Sequence, residues 1–484
     1  MSRLSLSGRR AVRASTALGA IAVCASLSTS LHAQSSARVR PLAYTRVVLP
    51  NGLVALINED HSAPVVEIDV WYHVGSKDET PGHTGLAHLC EHLMGEGSPN
   101  EPQPEKFFLQ SIGGTSQGFA ETTQDITHYY ATFPSNQLEP MLWMEADRMA
   151  APLSHADSAH VVSVREVIRQ ERLQTHESGG PAEWRSANER LLVGASSPYS
   201  IDPMGPMSDL DKASAAEARR FCLPYYVPNN AVLALSGDLS TATVRTLLGK
   251  YFGPIHRGAA VVHGSVPVAH LASPVRAVYE DPHISRPQLW LTWLGAATAD
   301  RDRVALNALG AMLSRDRVGY LSKILVEDRH LATRVIADDY DLERMGLFQI
   351  TIYPRGNTPL TQLEDVVDSA LEAFKAQPVT PAELMTFQRS NAVNAITSLQ
   401  LRQQRADTLA HDQIFAHDPT AYAKQVDAAF ALTPADVQRV ARKYLTPGHV
   451  ILSIVPANKL DLVAHPERRY TNVTPAFAKG APTP

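Results

Sequence analysis

The chain has 484 residues, of which 44% are hydrophobic and 19% charged, with 27 Gly and 33 Pro. Such a length allows about two to four domains of roughly 100–200 residues each, and ordinary Gly and Pro content excludes collagen-like and low-complexity chains. Three cysteines are too few for a disulfide framework, and a net charge of −5 offers no basic footprint for nucleic acid.

Residues 1–33 come first in chain order. Arg3, Arg9, Arg10 and Arg13 stand there without an acid, an apolar run fills 15–27, and Ser30-Leu-His-Ala33 precedes Gln34. This is the pattern of a cleaved secretory signal peptide, with an apolar run too short for a membrane span of about 20 residues. Val23 before Cys24 is the wrong residue for a lipoprotein signal. Removing these 33 residues and their four arginines leaves 451 residues with net charge −9. Cys90 and Cys222 remain, and their spacing does not say whether they meet. No later segment reaches transmembrane length, so no stable membrane anchor is expected and the chain reads as periplasmic or secreted.

Residues 45–58 read as two short strands around Pro50-Asn51-Gly52, and Val65 to Val74 as a third with near alternation of apolar residues. Helical patterns run from Gly85 to about Ser111 and from Leu138 to about Glu177. The stretch from Ser214 to Leu235 reads as a capped helix, a Pro-containing turn and a strand. The same sequence grammar recurs from Thr433 at a constant offset of 219 residues, matching Ser214 with Thr433, Glu217 with Asp436, Tyr225 with Tyr444 and Pro228 with Pro447. A repeat of this length is a domain-sized unit, outside the periods of about 20–50 that mark solenoids. A boundary within 257–275 divides the chain into 34–265 and 266–484. Strands and helices mix in each part without a run of βαβ units, which predicts an α+β fold.

The chemistry concentrates at Gly85-Leu-Ala-His88-Leu-Cys90-Glu91-His92-Leu-Met94. Histidines at i and i+4 project from one helix face, so two imidazoles can hold one metal ion. Glu91 lies close enough to address a water on that ion. Zinc suits two neutral imidazoles and a carboxylate with a fourth position open. The order inverts the commoner His-Glu-x-x-His motif. Three fixed residues recur by chance once in some tens of chains, so a helical setting and a third ligand are required. Cys90, two residues after His88, faces away from such a metal and reads as a small buried apolar residue.

With these residues in place, the chain resembles the insulinase/pitrilysin family of zinc peptidases, which includes the mitochondrial processing peptidases. The resemblance spans about Leu49 to Pro456 and rests also on Asp125-Ile-Thr127-His-Tyr129, Arg165-Glu-Val167-Ile-Arg-Gln-Glu171, Ser197 to Gly205 and Tyr225 to Asp238. It implies two homologous domains, each a mainly antiparallel sheet packed with helices, of which only the first binds metal. It implies one Zn2+ per chain, held by His88, His92 and Glu171, with Glu91 as general base. Glu171 lies 79 positions after His92, and Glu166 is its out-of-phase rival. Peptide would pair with the strand at Phe119, Ala120 and Glu121 by β-augmentation.

Departures from the family pattern accompany the matches. Val164 stands where an acid usually supports the zinc histidines, and Phe119 replaces an Asn beside the zinc. The Arg and Tyr usually sent from the C-terminal domain fall on Val326 and Thr333, with Arg329 near but out of phase. The resemblance therefore implies a catalytic subunit of a hetero- or homodimer whose homologous partner supplies the missing pair. The expected activity is zinc endopeptidase action on unfolded or short peptides. The alternative is a non-catalytic homologue that binds peptides or scaffolds a complex.

Overall fold

A computed structural model describes residues 39–115, 120–177, 180–266, 270–377 and 379–475. The expected leader and Phe119 lie outside the described residues. The Pro50-Asn51-Gly52 turn joins β1 (Thr45–Val48) to β2 (Val54–Glu59), and Gly52 supplies a φ of 95° that other residues seldom adopt. Strands β3 (Val65–Tyr72), β4 (Ala120–Thr122), β5 (Thr127–Pro134) and β6 (Ala231–Gly237) complete a six-stranded sheet ordered β1-β2-β6-β3-β5-β4.

The second half repeats this plan. Strands β7 (Val275–Asp281), β8 (Gln288–Gly295), β9 (Ala332–Asp341), β10 (Gly346–Pro354), β11 (Val450–Pro456) and β12 (Thr471–Asn472) are ordered β12-β7-β11-β8-β10-β9. The pairs β2–β6 and β7–β11 are parallel, and the three pairs that follow in each sheet are antiparallel. Strands β6 and β11 begin 219 residues apart, the offset read from the repeated helix–turn–strand stretch. The fold is the expected α+β duplication.

Eight helices position the chemistry: α1 (Leu86–Met94), α2 (Ser158–Arg172), α3 (Pro181–Val193), α4 (Ala215–Cys222), α5 (Arg303–Ser314), α6 (Pro381–Ser398), α7 (Arg402–Ala416) and α8 (Pro434–Tyr444). Ser214 caps α4 through the backbone N–H of Glu217, and Thr433 caps α8 through that of Asp436, so the two matched sequence stretches make matched caps. The helical pattern from Gly85 to Ser111 proves to be two helices, α1 and a second over Glu105–Ser111, separated at Gly95 and Gly97, the latter with a φ of 113°. The pattern from Leu138 to Glu177 likewise divides into Leu138–Ala150 and α2, which Asp157 caps.

Alternation along β3 sends Val66, Ile68, Val70 and Tyr72 into a core with Leu89 and Leu93 of α1 and Val161, Val164 and Ile168 of α2. The opposite face carries Trp71 with Leu56, Val232 and Ala234, and α7 from the second half covers it with Ala406, Leu409, Ala410 and Ile414. The reverse holds for the second sheet: α3 from the first half lays Trp184, Leu192 and Val193 on Tyr279, Trp290 and Leu452. Burying a large apolar side chain is worth about 1.5–3 kcal/mol, so this exchange is a main tie between the halves.

A polar tie adds direction to it. Glu343, between β9 and β10, meets Lys77 Nζ at 3.1 Å and His73 Nε2 at 2.7 Å, while Lys77 reaches Asp125 at 3.0 Å. Tyr199 donates to Asp125 at 2.7 Å, so the buried ammonium and both carboxylates are partnered.

Cys90 corrects the sequence reading. Its side chain is fully buried as expected, but it forms a disulfide with Cys222, 132 residues away, and so fastens α1 to α4. The two sulfurs meet because helices far apart in sequence pack side by side, which spacing alone does not reveal.

Candidate metal centre

Glu79 accepts hydrogen bonds from the backbone N–H groups of Gly85 and Ala87, at 2.9 and 2.7 Å, and so holds the start of α1. A carboxylate suits the positive end of a helix dipole, although complete burial pushes this one up to about 8. Gly85 has a φ of 82°, and the chain at Met204-Gly205 runs against it. A Cβ on Gly205 would stand 2.7 Å from the Gly85 nitrogen, so the family-like stretch Ser197 to Gly205 needs glycine to reach the helix start. Arg172 donates to the Gly205 carbonyl at 2.7 Å and to Glu183 at 2.6 Å, which fixes the end of α2 beside this contact.

These anchors bring three ligand-type atoms together. His88 Nε2 and His92 Nε2 lie 3.2 Å apart. Glu171 Oε2 is 3.6 Å from the first and 3.3 Å from the second. Donors about 2.0–2.1 Å from a tetrahedral zinc ion stand roughly 3.3 Å from one another, so the set fits that ion without rearrangement. Glu166, the alternative in the sequence, instead pairs with Arg169 at the surface.

Glu91 completes the cluster, its carboxylate lying within 4.8 Å of both imidazoles. Thr122 of β4 donates to Glu91 Oε2 at 2.5 Å. Burial pushes the Glu91 carboxyl up to about 7, against the lowering effect of the Thr122 hydrogen bond. For His92, burial disfavours the charged form, but the bond to Glu171 and the charge of Glu91 outweigh it and raise the pKa.

The cluster opens on a cavity of about 370 Å3 lined by His88, Glu91, Glu171, Ala120, Thr122 and Arg185, among others. Strand β4 pairs with β5 on one side only, Ala120 opposite Tyr129 and Glu121 opposite His128, and ends the sheet at this cavity. Among the described residues no strand pairs with its other edge, the condition that β-augmentation requires. Val164 is packed in the core, so no carboxylate supports the histidines from that position. Val326 packs against the second core, and Thr333 is exposed and donates to the Tyr353 carbonyl at 3.2 Å. Sequence reasoning missed Glu79, Thr122 and Arg185. The exposed Arg185 guanidinium lies 5.8 Å from the Tyr340 ring of the second half, a packing contact without a local sequence signal.

Residues 54–178 match the family model described as insulinase (peptidase family M16), and residues 212–390 match the one described as peptidase M16 inactive domain. The zinc protease PqqE of Helicobacter pylori is 26% identical over 427 residues, covering 86% of this chain and 93% of that protein. A probable mitochondrial-processing peptidase subunit beta of Arabidopsis thaliana is 24% identical, over 85% of this chain and 78% of that one. Among solved structures, the first half of the periplasmic protease PqqL from Escherichia coli shares the fold with a TM-score of 0.72 at 15% identity, over 87% of this chain and 93% of that one.

Proposed function

Since the chain belongs to the insulinase family of peptidases, we propose that it is a zinc-dependent endopeptidase in which His88, His92 and Glu171 hold one Zn2+ and Glu91 is the general base. The observation that carries this reading is the approach of three donor atoms to within 3.6 Å of one another beside a buried carboxylate. A zinc ion there supplies Lewis acidity toward the scissile carbonyl and the attacking water.

The protein's own groups do the rest. Thr122 holds one oxygen of Glu91, while the other accepts no hydrogen bond from the described residues and is available for a proton. Glu91 takes that proton from the attacking water and returns it to the leaving amine, a role suited to a carboxyl raised toward neutrality. The outer edge of β4, at Ala120 and Glu121, aligns an extended peptide through main-chain hydrogen bonds, which tolerate many sequences, and Phe119, the third residue expected to take part, lies outside the described residues. Unfolded or short peptides are therefore the substrate class.

A homologous partner subunit supplies the Arg and Tyr that Val326 and Thr333 replace. The setting is the periplasm or the exterior, in keeping with the Cys90–Cys222 disulfide, which oxidising compartments preserve. Among the described residues, no helix is long and apolar enough to cross a membrane.

Metal analysis with peptide cleavage tests the reading. With its partner subunit, wild type is expected to hold zinc and cut an unstructured peptide, and Glu91→Gln to hold zinc and cut it about 1000-fold more slowly. Zinc without cleavage, even with candidate partner subunits present, would favour the scaffolding alternative.

A further inference from the structure

We propose that Asp69, His128 and Asp407, with Glu121 beside them, form a second site for a divalent transition-metal ion, one that joins the first sheet to α7. The ligand atoms of Asp69, His128 and Asp407 all lie within 4.8 Å of one another. They come from β3, β5 and α7, so residues of both halves meet at one point. The register sets Trp71 opposite His128 and Asp69 opposite Tyr130, which makes Asp69 and His128 diagonal neighbours on the sheet face that α7 covers.

Charge and hydrogen bonding both point to a cation. Asp69 is 1% exposed, and its one hydrogen-bond partner among the described residues is His128 Nδ1, at 3.0 Å. A carboxylate so buried ordinarily accepts several bonds, because an uncompensated buried charge is costly. Glu121 stands 3.6 Å from the other imidazole nitrogen. Among the described residues, Asp407 accepts from Gln404 alone, at 2.7 Å and through one oxygen.

Three carboxylates thus surround one imidazole, and even a protonated His128 leaves them with a net negative charge. The guanidinium groups of α7 do not make up the difference, since Arg402 and Arg405 pair with Asp60. Two or three oxygens and one imidazole suit a borderline divalent ion such as Zn2+ or Mn2+. Ion uptake would leave His128 neutral, releasing to solvent any proton the imidazole carries. The ion would clamp α7 to strands β3 and β5, next to β4, whose Thr122 holds Glu91.

Counting metal separates this site from the one at His88. Full-length protein is stripped with a chelator, reloaded with Zn2+, gel-filtered and measured by plasma mass spectrometry. Two equivalents are expected for wild type, one for His88→Ala/His92→Ala and one for Asp407→Asn. One equivalent in wild type and in Asp407→Asn, with none in the double-histidine variant, would overturn the second site and leave the first standing. One equivalent in wild type that survives in the double-histidine variant and disappears in Asp407→Asn would establish the second site and remove the first. Should Asp407→Asn fail to fold, Co2+ is titrated into His88→Ala/His92→Ala and followed by visible absorption. One equivalent with d–d bands supports the site, and none overturns it.

Discussion

At 219 residues beyond His88, Glu91, His92 and Glu171 stand Asn307, Gly310, Ala311 and Ser390. Asn307, Ala311 and Ser390 line a cavity of about 350 Å3 in the second half, close in size to the cavity of about 370 Å3 beside His88. Where Glu171 faces two imidazoles, Ser390 accepts a hydrogen bond from Arg315 at 3.1 Å. Where Glu91 projects, a Cβ on Gly310 would stand 2.6 Å from the Ala337 carbonyl, so α5 has closed on β9 and leaves no room for a carboxylate. The disulfide has also lost its counterpart, for Leu309 and Ala441 occupy those positions as fully buried apolar residues. The fold by itself supplies a pocket between a helix, an edge strand and a long second helix. The proposed metal chemistry is an addition of four side chains, together with the anchors that hold them.

The strongest way to break this contrast is to exchange the chemistry of one pocket while leaving the other intact. Glu91→Gln should lower kcat/KM for peptide cleavage about 1000-fold, the middle of the range for a general base. Asn307→Ala should leave it within about twofold, and equal losses in steady-state assays would end the division of labour. The disulfide comes next: Cys90→Ala/Cys222→Ala should cost about 2–4 kcal/mol in urea unfolding. A reductant should then destabilise wild type and leave the variant unchanged.

The pH dependence is smaller in effect. Burial raises Glu91 from 4.5 to about 7, and a zinc ion bound at His88, His92 and Glu171 would pull it down, so the acid limb of kcat/KM should fall between those values. Below it the rate drops about tenfold per unit as the base is protonated, and in the Glu91→Gln protein that limb should vanish. Least of all, Thr433→Ala removes the cap of α8 and should cost about 1 kcal/mol, with Ser214→Ala matching it on α4. Differential scanning calorimetry of both would show whether matched sequence means matched energetics.

The duplication was legible because caps, turns and strands leave local marks: Ser214 and Thr433 announced two equivalent helix starts, and β6 and β11 follow them at the same distance. The two histidines were legible because helical spacing alone aligns i and i+4. Glu171 needed the family resemblance, since no local rule links it to residues 79 positions earlier. Glu79, Thr122, Arg185 and the Cys90–Cys222 bond left no mark of that kind. Each acts across a contact made only after helices and sheet have packed, and polar side chains at such positions look like any surface residue in the sequence. Asp69, in the middle of β3, carries no local mark either, since alternation turns it away from the core and only the packing of α7 over that face buries it.

The exchange of α3 and α7 has a consequence for any attempt to divide the molecule. Each half lends one helix to its sibling's sheet, which is the topology of a domain-swapped pair written into a single polypeptide. Expressed alone, either half would keep its borrowed-out helix and leave one sheet face bare, inviting self-association. Expressed from two separate frames, the pieces should find each other and reassemble by fragment complementation. A protease nick within 256–266, which carries no regular structure, should likewise change the pattern on a denaturing gel and leave the native mass as it was.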